Sequence, residues 1–130
     1  MHLERLLETL AEELKLDAIP QMDKSGSFKL QIHALTPISV RELEPGVFLS
    51  AKIMELPKEG NKESLYIYLM KANLVGQGTG GAAIGIDASE KYLTLSQTLP
   101  FEVNYKLFHD TLEDFLNYVD YWKEEVPTLL

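Results

Sequence analysis

The apolar positions near both ends of the chain recur with the period of an α-helix. Near the N-terminus they fall at Leu3, Leu6, Leu7, Leu10 and Leu14. Glutamates occupy most of the other side, which predicts an amphipathic helix. We expect this helix to end before Asp17, because the following residues lead to Pro20 and the residue preceding a proline is pushed out of the α region. Near the C-terminus, spacings of four, three, four and three predict a helix from about Asn104 to Glu125 with a seam of Phe108, Leu112, Phe115, Val119 and Trp122.

Between these two segments the apolar pattern repeats every second residue. Residues 28–33 alternate apolar and polar side chains and predict a half-buried strand. A hairpin is predicted from Ile38 to Leu56, because Pro45 and Gly46 are the central residues that a type II turn favours. Two shorter strands are predicted near residues 82–86 and 93–99.

A second helix is predicted between the hairpin and the short strands, from an N-cap at Asn61 to about Leu74. Its middle, Leu65 to Met70, is apolar around the full circumference rather than along one stripe. Such a helix is usually covered on both sides. The sheet can cover one side, and a second copy of the chain is the simplest cover for the other, so we predict a homodimer.

The predicted order of elements is α-β-β-β-α-β-β-α, with no internal repeat or linker. It indicates the α+β class, with a twisted, mainly antiparallel sheet and helices packed on it. With 130 residues and 14.7 kDa the chain has the size of one ordinary domain, so a single domain over residues 1–130 is expected.

The charge balance excludes several classes of partner. Twelve basic and 20 acidic residues leave a net charge of −8, which argues against nucleic acid and anionic membranes as partners. The absence of cysteine excludes disulfides, thiolate nucleophiles and cysteine-ligated metals. The longest apolar run, Leu65 to Met70, is too short to span a membrane, and the N-terminus is too charged for a signal peptide. A soluble, cytoplasmic protein without membrane insertion is the prediction.

A glycine-rich segment, Gly76 to Gly81, matches the pattern G-x-G-x-x-G. In a dinucleotide site these glycines follow a strand and open a helix, whereas here a helix precedes them and a strand follows. We therefore interpret the segment as a helix end and a connector. A small nucleotide-binding protein or enzyme that uses this loop stays open as the alternative.

The remaining polar residues form no pattern typical of a catalytic or metal site. His2, His33 and His109 are dispersed over terminus, strand and helix, and the carboxylate pairs are adjacent in sequence, so each pair splays around its helix. No enzymatic activity, cofactor or metal is predicted.

Several segments resemble the signature of class I type III secretion chaperones, the Tir-chaperone family. They are residues 69–74 (LMKANL), 78–82 (GTGGA), 84–87 (IGID) and 93–96 (LTLS), followed by Phe108, Leu112, Phe115, Leu116 and Trp122. The length, the element order and the acidic isoelectric point near 4.8 are similar to the family as well.

The resemblance implies a homodimeric, non-enzymatic protein of the bacterial cytoplasm. Such chaperones bind the N-terminal segment of a secreted effector in extended form, keep it secretion-competent and present it to the secretion apparatus. A dimerisation module without a client is a further alternative.

The resemblance also implies where the two partners bind. The dimer would form through the second helix and the following strand, at Leu65, Tyr66, Leu69, Met70, Ala82, Ile84 and Ile86. The effector would contact the first helix and an edge strand at residues 28–33, and the expected contacts are Leu7, Leu14, Phe28, Leu30 and Ile32.

Overall fold

The predicted order of helices and strands is confirmed. The computed structural model describes residues 2–18, 20–33, 36–44, 46–75, 81–99 and 103–129. Its elements, in chain order, are α1 (His2–Glu13), β1 (Ser27–His33), β2 (Thr36–Leu43), β3 (Gly46–Glu55), α2 (Lys62–Val75), β4 (Ala83–Ile86), β5 (Tyr92–Leu99) and α3 (Tyr105–Thr128).

The five strands form one sheet in the order β1-β2-β3-β5-β4. β1 pairs antiparallel with β2, and β4 pairs antiparallel with β5. After α2 the chain does not continue beside β3: β4 lies at one edge of the sheet, and β5 lies between β3 and β4. β1 lies at the opposite edge, as predicted.

The chain packs as two compact units. The first contains Met1–Ser50 and Thr98–Glu113, and the second contains Ala51–Gln97 and Asp114–Leu130. Buried leucines of α1, with Leu30 and Ile38, form the core of the first unit, and Leu65, Leu95 and Phe115 lie in the core of the second. The single domain over residues 1–130 stays a prediction.

The two terminal helices differ from the prediction only at their ends. α1 stops at Glu13 because Lys15 has a φ of 55°, while the Leu16 and Lys15 amides bond the carbonyls of Ala11 and Glu12. This is a Schellman termination, and it satisfies carbonyls at the helix end. α3 begins as predicted, since the Asn104 side chain accepts the Leu107 amide at 2.8 Å. It runs on to Thr128, and its predicted seam is buried along its whole length.

Two predictions concern glycine-containing segments, the turn at Gly46 and the segment of residues 76–81, and both are only partly described by the structure. Gly46 has a φ of 118°, the positive value that glycine provides at this position of a type II turn, while Pro45 is not described. The glycine-loop interpretation falls on residues 76–80, which also lie outside the described part of the chain. Gly81 is described, and a Cβ there would lie 2.9 Å from Nε2 of Gln97, the mobile end of a side chain that can move aside.

Candidate functional site

A small cavity opens between α1, the connection that follows α1, and β1. It has a volume of about 340 Å³ and is lined by Glu4, Leu7, Glu8, Pro20, Gln21, Met22 and Phe28. Leu7 and Phe28 are buried and form an apolar floor, whereas the two glutamates are exposed. Met22 remains 45% exposed. We call this cavity the α1–β1 cavity, and its lining is mixed, with four apolar residues and three polar or charged ones.

A hydrogen-bonded turn holds Met22 beside β1. Met22 forms an isolated antiparallel bridge with Phe28. In the turn, the Asp23 carboxylate accepts hydrogen bonds from the Ser25 amide at 2.8 Å and the Ser27 amide at 3.1 Å. Hydrogen bonds from the Ser25 hydroxyl and the Ser27 amide lower the pKa of Asp23. Met22 is thus placed at the cavity by backbone pairing and by a defined turn.

Polar groups of other elements lie beside both ends of α1. At the N-terminal end the Leu3 amide donates to Oε1 of Glu42 on β2 at 2.8 Å. A carboxylate is favourable there because it satisfies an unpaired amide and the helix dipole is positive at this end. At the C-terminal end, Oε1 of Glu13 lies 3.8 Å from Nε2 of His109 on α3.

Polar and charged side chains of the first turns of α3 lie around the contact between Glu13 and His109. The Tyr105 hydroxyl is buried without a hydrogen-bond partner of good geometry among the described residues, and burial together with the nearby Glu13 carboxylate raises its pKa to about 12. Hydrogen bonds from Lys106 and His109 lower the pKa of Asp110. α1 therefore meets α3 through a polar cluster, while its leucines pack in the core.

Glu42→Ala is expected to lower the free energy of unfolding by about 1–2 kcal/mol, because the Leu3 amide loses a charged acceptor at a helix N-terminus. Urea unfolding measures this change. Glu44→Ala is the matched control, since Glu44 is exposed immediately after β2, and it should change stability by less than about 0.5 kcal/mol. Equal losses in the two variants would contradict the role of Glu42.

A second candidate surface lies on α2 and the edge strand β4. Leu65, Leu69 and Ala72 face the core, while an apolar stripe at spacings of three and four remains exposed on the same helix. This stripe consists of Ile67, Met70 and Leu74, and the last two are 70% and 85% exposed. Ile86 on β4 is exposed as well. We call these four residues the α2–β4 face, and a soluble chain rarely leaves such a surface uncovered.

The structure sorts the seven residues predicted for the dimer interface into two groups. Met70 and Ile86 are exposed, and Tyr66 is half-buried. Correcting the prediction, Leu65, Leu69, Ala82 and Ile84 are buried in the core of the single chain, so their side chains have little surface to offer a partner. Ile67 and Leu74 are exposed on the same helix but were not among the predicted residues, although their spacing from Met70 is visible in the sequence.

The residues predicted for effector contact are sorted in the same way. Leu14 is exposed, Ile32 is half-buried, and Leu7 and Phe28 are buried but form the cavity floor. Leu30 has no exposed surface, because it points from β1 into the core, so a direct role for its side chain is corrected. Pro20 and Met22 also line the cavity but were not among the predicted residues, since they lie in a connection without a periodic pattern.

A second cavity has a volume of about 440 Å³. It is lined by a mixed set of charged, apolar and aromatic residues: Glu55, Leu56, Pro57, Lys58, Glu90, Lys91 and Tyr92. Within the described ranges, no three His, Asp or Glu side chains are grouped to hold a metal ion. None of the helices in those ranges is both long and apolar enough to cross a membrane.

The chain is similar to known proteins over 95% of its length. The chain is 26% identical over 125 residues to the Chlamydia pneumoniae protein CPj0713/CpB0740, covering 95% of each. Its fold is similar to a chain of the ExsC–ExsE complex, with a TM-score of 0.78 at 18% identity, covering 95% of this chain and 92% of the other. It is also similar to a chain of the HopA1–SchA chaperone–effector complex, with a TM-score of 0.71 at 15% identity, covering 95% and 94%.

The two structural likenesses establish the fold, whereas the family is shown by the match of this sequence to a family model. The model of the Tir chaperone protein (CesT) family matches residues 5–123, a range that contains the α2–β4 face and nearly all of the α1–β1 cavity. This confirms the resemblance noted in residues 69–96 and in the seam of α3. The chain therefore belongs to the Tir chaperone protein (CesT) family.

Proposed function

We propose that the chain is a non-enzymatic chaperone of the bacterial cytoplasm that binds the N-terminal segment of a type III secreted effector. It keeps that segment extended and secretion-competent for the secretion apparatus. Membership of the Tir chaperone family over residues 5–123 carries the proposal. The HopA1–SchA structure, which has the same fold, is a chaperone–effector complex.

The α1–β1 cavity supports this function because it can hold one apolar anchor of an extended segment. Four of its seven lining residues are apolar, and β1 beside it lies at the edge of the sheet, where a segment can add as a strand beyond the Met22–Phe28 bridge. Ordering a disordered segment costs free energy, so the buried area should reach about 1,000–3,000 Å². The client is therefore expected to contact Leu14 and Ile32 in addition to the cavity.

The α2–β4 face supports a homodimer of two single-domain chains. Its exposed stripe is apolar along α2 and is joined by Ile86 on the neighbouring edge strand. A second copy can cover this surface with the same surface, as a two-fold interface requires. The half-buried Tyr66 lies on the same helix and is proposed as a contact at the margin of the interface.

Co-expression with N-terminal fragments of secreted effectors tests the function. We expect one fragment to co-purify with the chaperone through size exclusion, and a C-terminal fragment of the same effector to be the negative control. Hydrogen exchange should show new protection in α1, residues 20–22 and β1. Protection that appears only around residues 76–81, with residues 3–33 unchanged, would contradict the proposed surface.

A further inference from the structure

The edge strand β4 is closed by a side chain of the neighbouring helix. Nδ2 of Asn73 donates to the Ile84 carbonyl at 2.8 Å, and the Ile84 amide donates to Oδ1 of Asn73 at 2.7 Å. A side-chain amide has the same donor and acceptor as a peptide group. Asn73 therefore makes, from α2, the two hydrogen bonds that one residue of an added strand would make.

The register of the sheet shows which side of β4 these bonds occupy. Ile84 stands opposite Leu95 of β5 in an antiparallel pair. In such a ladder, residues alternate between pairs that exchange both hydrogen bonds and pairs that exchange none. Since Asn73 takes both backbone groups of Ile84, these groups point away from β5, toward the outer edge of the sheet.

Because β4 is short, occupying the backbone groups of Ile84 is enough to prevent another strand from pairing with it. The strand has four residues, Ala83–Ile86, and only every second residue directs its backbone outward. With Ile84 occupied, Ile86 is the one outward residue left within the strand, and one residue cannot hold an added strand in register. Exposed edges commonly invite strand addition, and a blocked edge prevents it.

We propose that Asn73 closes the outer edge of β4, so that a second copy of the chain meets the α2–β4 face through side chains and not by strand pairing. The exposed side chains of Met70, Leu74 and Ile86 then form the contact. Asn73 lies in the last turn of α2, from which its side chain reaches β4. At the opposite edge, the Met22–Phe28 bridge already covers the start of β1, so strand addition is left to the part of β1 beyond that bridge. The closure rests on the single chain, whereas the side-chain contact rests on the proposed homodimer.

The test compares Asn73→Leu with wild type, because leucine has a similar size and lacks both polar atoms. We expect the Ile84 amide proton to exchange at least tenfold faster in the variant, while the Phe115 amide in the α3 core keeps its rate. We also expect time-dependent oligomers with increased β content. Asn117→Leu is the matched control, since Asn117 is exposed on α3, and it should leave both properties unchanged.

Two further measurements keep the proposal testable if Asn73→Leu fails to fold. Asn73→Asp keeps an acceptor for the Ile84 amide and loses the donor, so its Ile84 exchange should lie between those of wild type and Asn73→Leu. In the wild-type chain diluted to monomer, the Ile84 amide should exchange at least tenfold more slowly than an unprotected amide. An unprotected Ile84 amide in the wild-type monomer would overturn the closure. It would also be overturned if a folded Asn73→Leu chain had the wild-type Ile84 exchange rate and formed no more oligomers than wild type. If the closure holds but the wild-type chain is a monomer, only the proposed homodimer has failed.

Discussion

Leu30→Asp is expected to unfold the chain, whereas Met22→Asp is expected to leave it folded and to weaken client binding about 10- to 100-fold. Leu30 has no exposed surface, so the substitution loses apolar burial and places an unpaired carboxylate in the core. The combined cost of about 5 kcal/mol or more is comparable to the whole stability of a small domain. Met22 is 45% exposed at the α1–β1 cavity, so its replacement mainly removes a contact for the client.

Circular dichroism, urea unfolding and the affinity for the co-purified effector fragment separate these two effects. Leu107→Asp is the matched control, because Leu107 is 48% exposed on α3 and does not line the cavity. It should preserve both the fold and the affinity. A folded Leu30→Asp chain would contradict the role of Leu30 in the core. A Met22→Asp chain with wild-type affinity would contradict the role of Met22 in client binding.

Met70→Glu is expected to convert the homodimer into a folded monomer. Met70 is 70% exposed in the single chain, so a glutamate is well solvated there and costs the monomer little. In the dimer, the substitution occurs twice and places a carboxylate against the apolar α2–β4 face, where an unpaired charge costs several kcal/mol. The dissociation constant should rise at least about 100-fold, since each tenfold change corresponds to about 1.4 kcal/mol.

Light scattering coupled to size exclusion, over a range of concentrations, measures this change. Leu107→Glu is the control, because it introduces the same charge at a leucine of α3 outside the face and should remain dimeric. A wild-type chain that is monomeric at micromolar concentration, or a Met70→Glu chain that remains dimeric, would contradict the interface. A dimerisation module without a client would also dimerise. Unlike the proposed chaperone, it would retain no effector fragment.

The charge pattern explains how a chain with these two apolar surfaces remains in solution. The first seventeen residues and residues 104–126 together hold seven of the eight net negative charges. Net charge of one sign favours solubility and speeds the encounter with segments of the opposite sign. We therefore infer that the acidic surfaces of α1 and α3 assist solubility and encounter, while affinity for the client comes from apolar anchors.

The sequence by itself determined the order of the elements and most of their boundaries. This was possible because a helix and a strand impose different periods on apolar residues, and these periods are local properties of the backbone. The seam from Phe108 to Trp122 and the alternation at residues 28–32 are of this kind, and both regions lie in the predicted elements. The end of α1 was less predictable, since Lys15 adopts a positive φ that usually favours glycine.

Only the tertiary structure decided which apolar side chains remain at the surface. Leu65 and Ile67 are both apolar residues of α2, yet one is buried and the other exposed, because the helix is covered on one side in the single chain. Met22 reached the α1–β1 cavity through its pairing with Phe28, and Asn73 reached the edge of β4 through its hydrogen bonds with Ile84. These contacts join residues from different elements, so no local period encodes them, and they form only when the elements pack together.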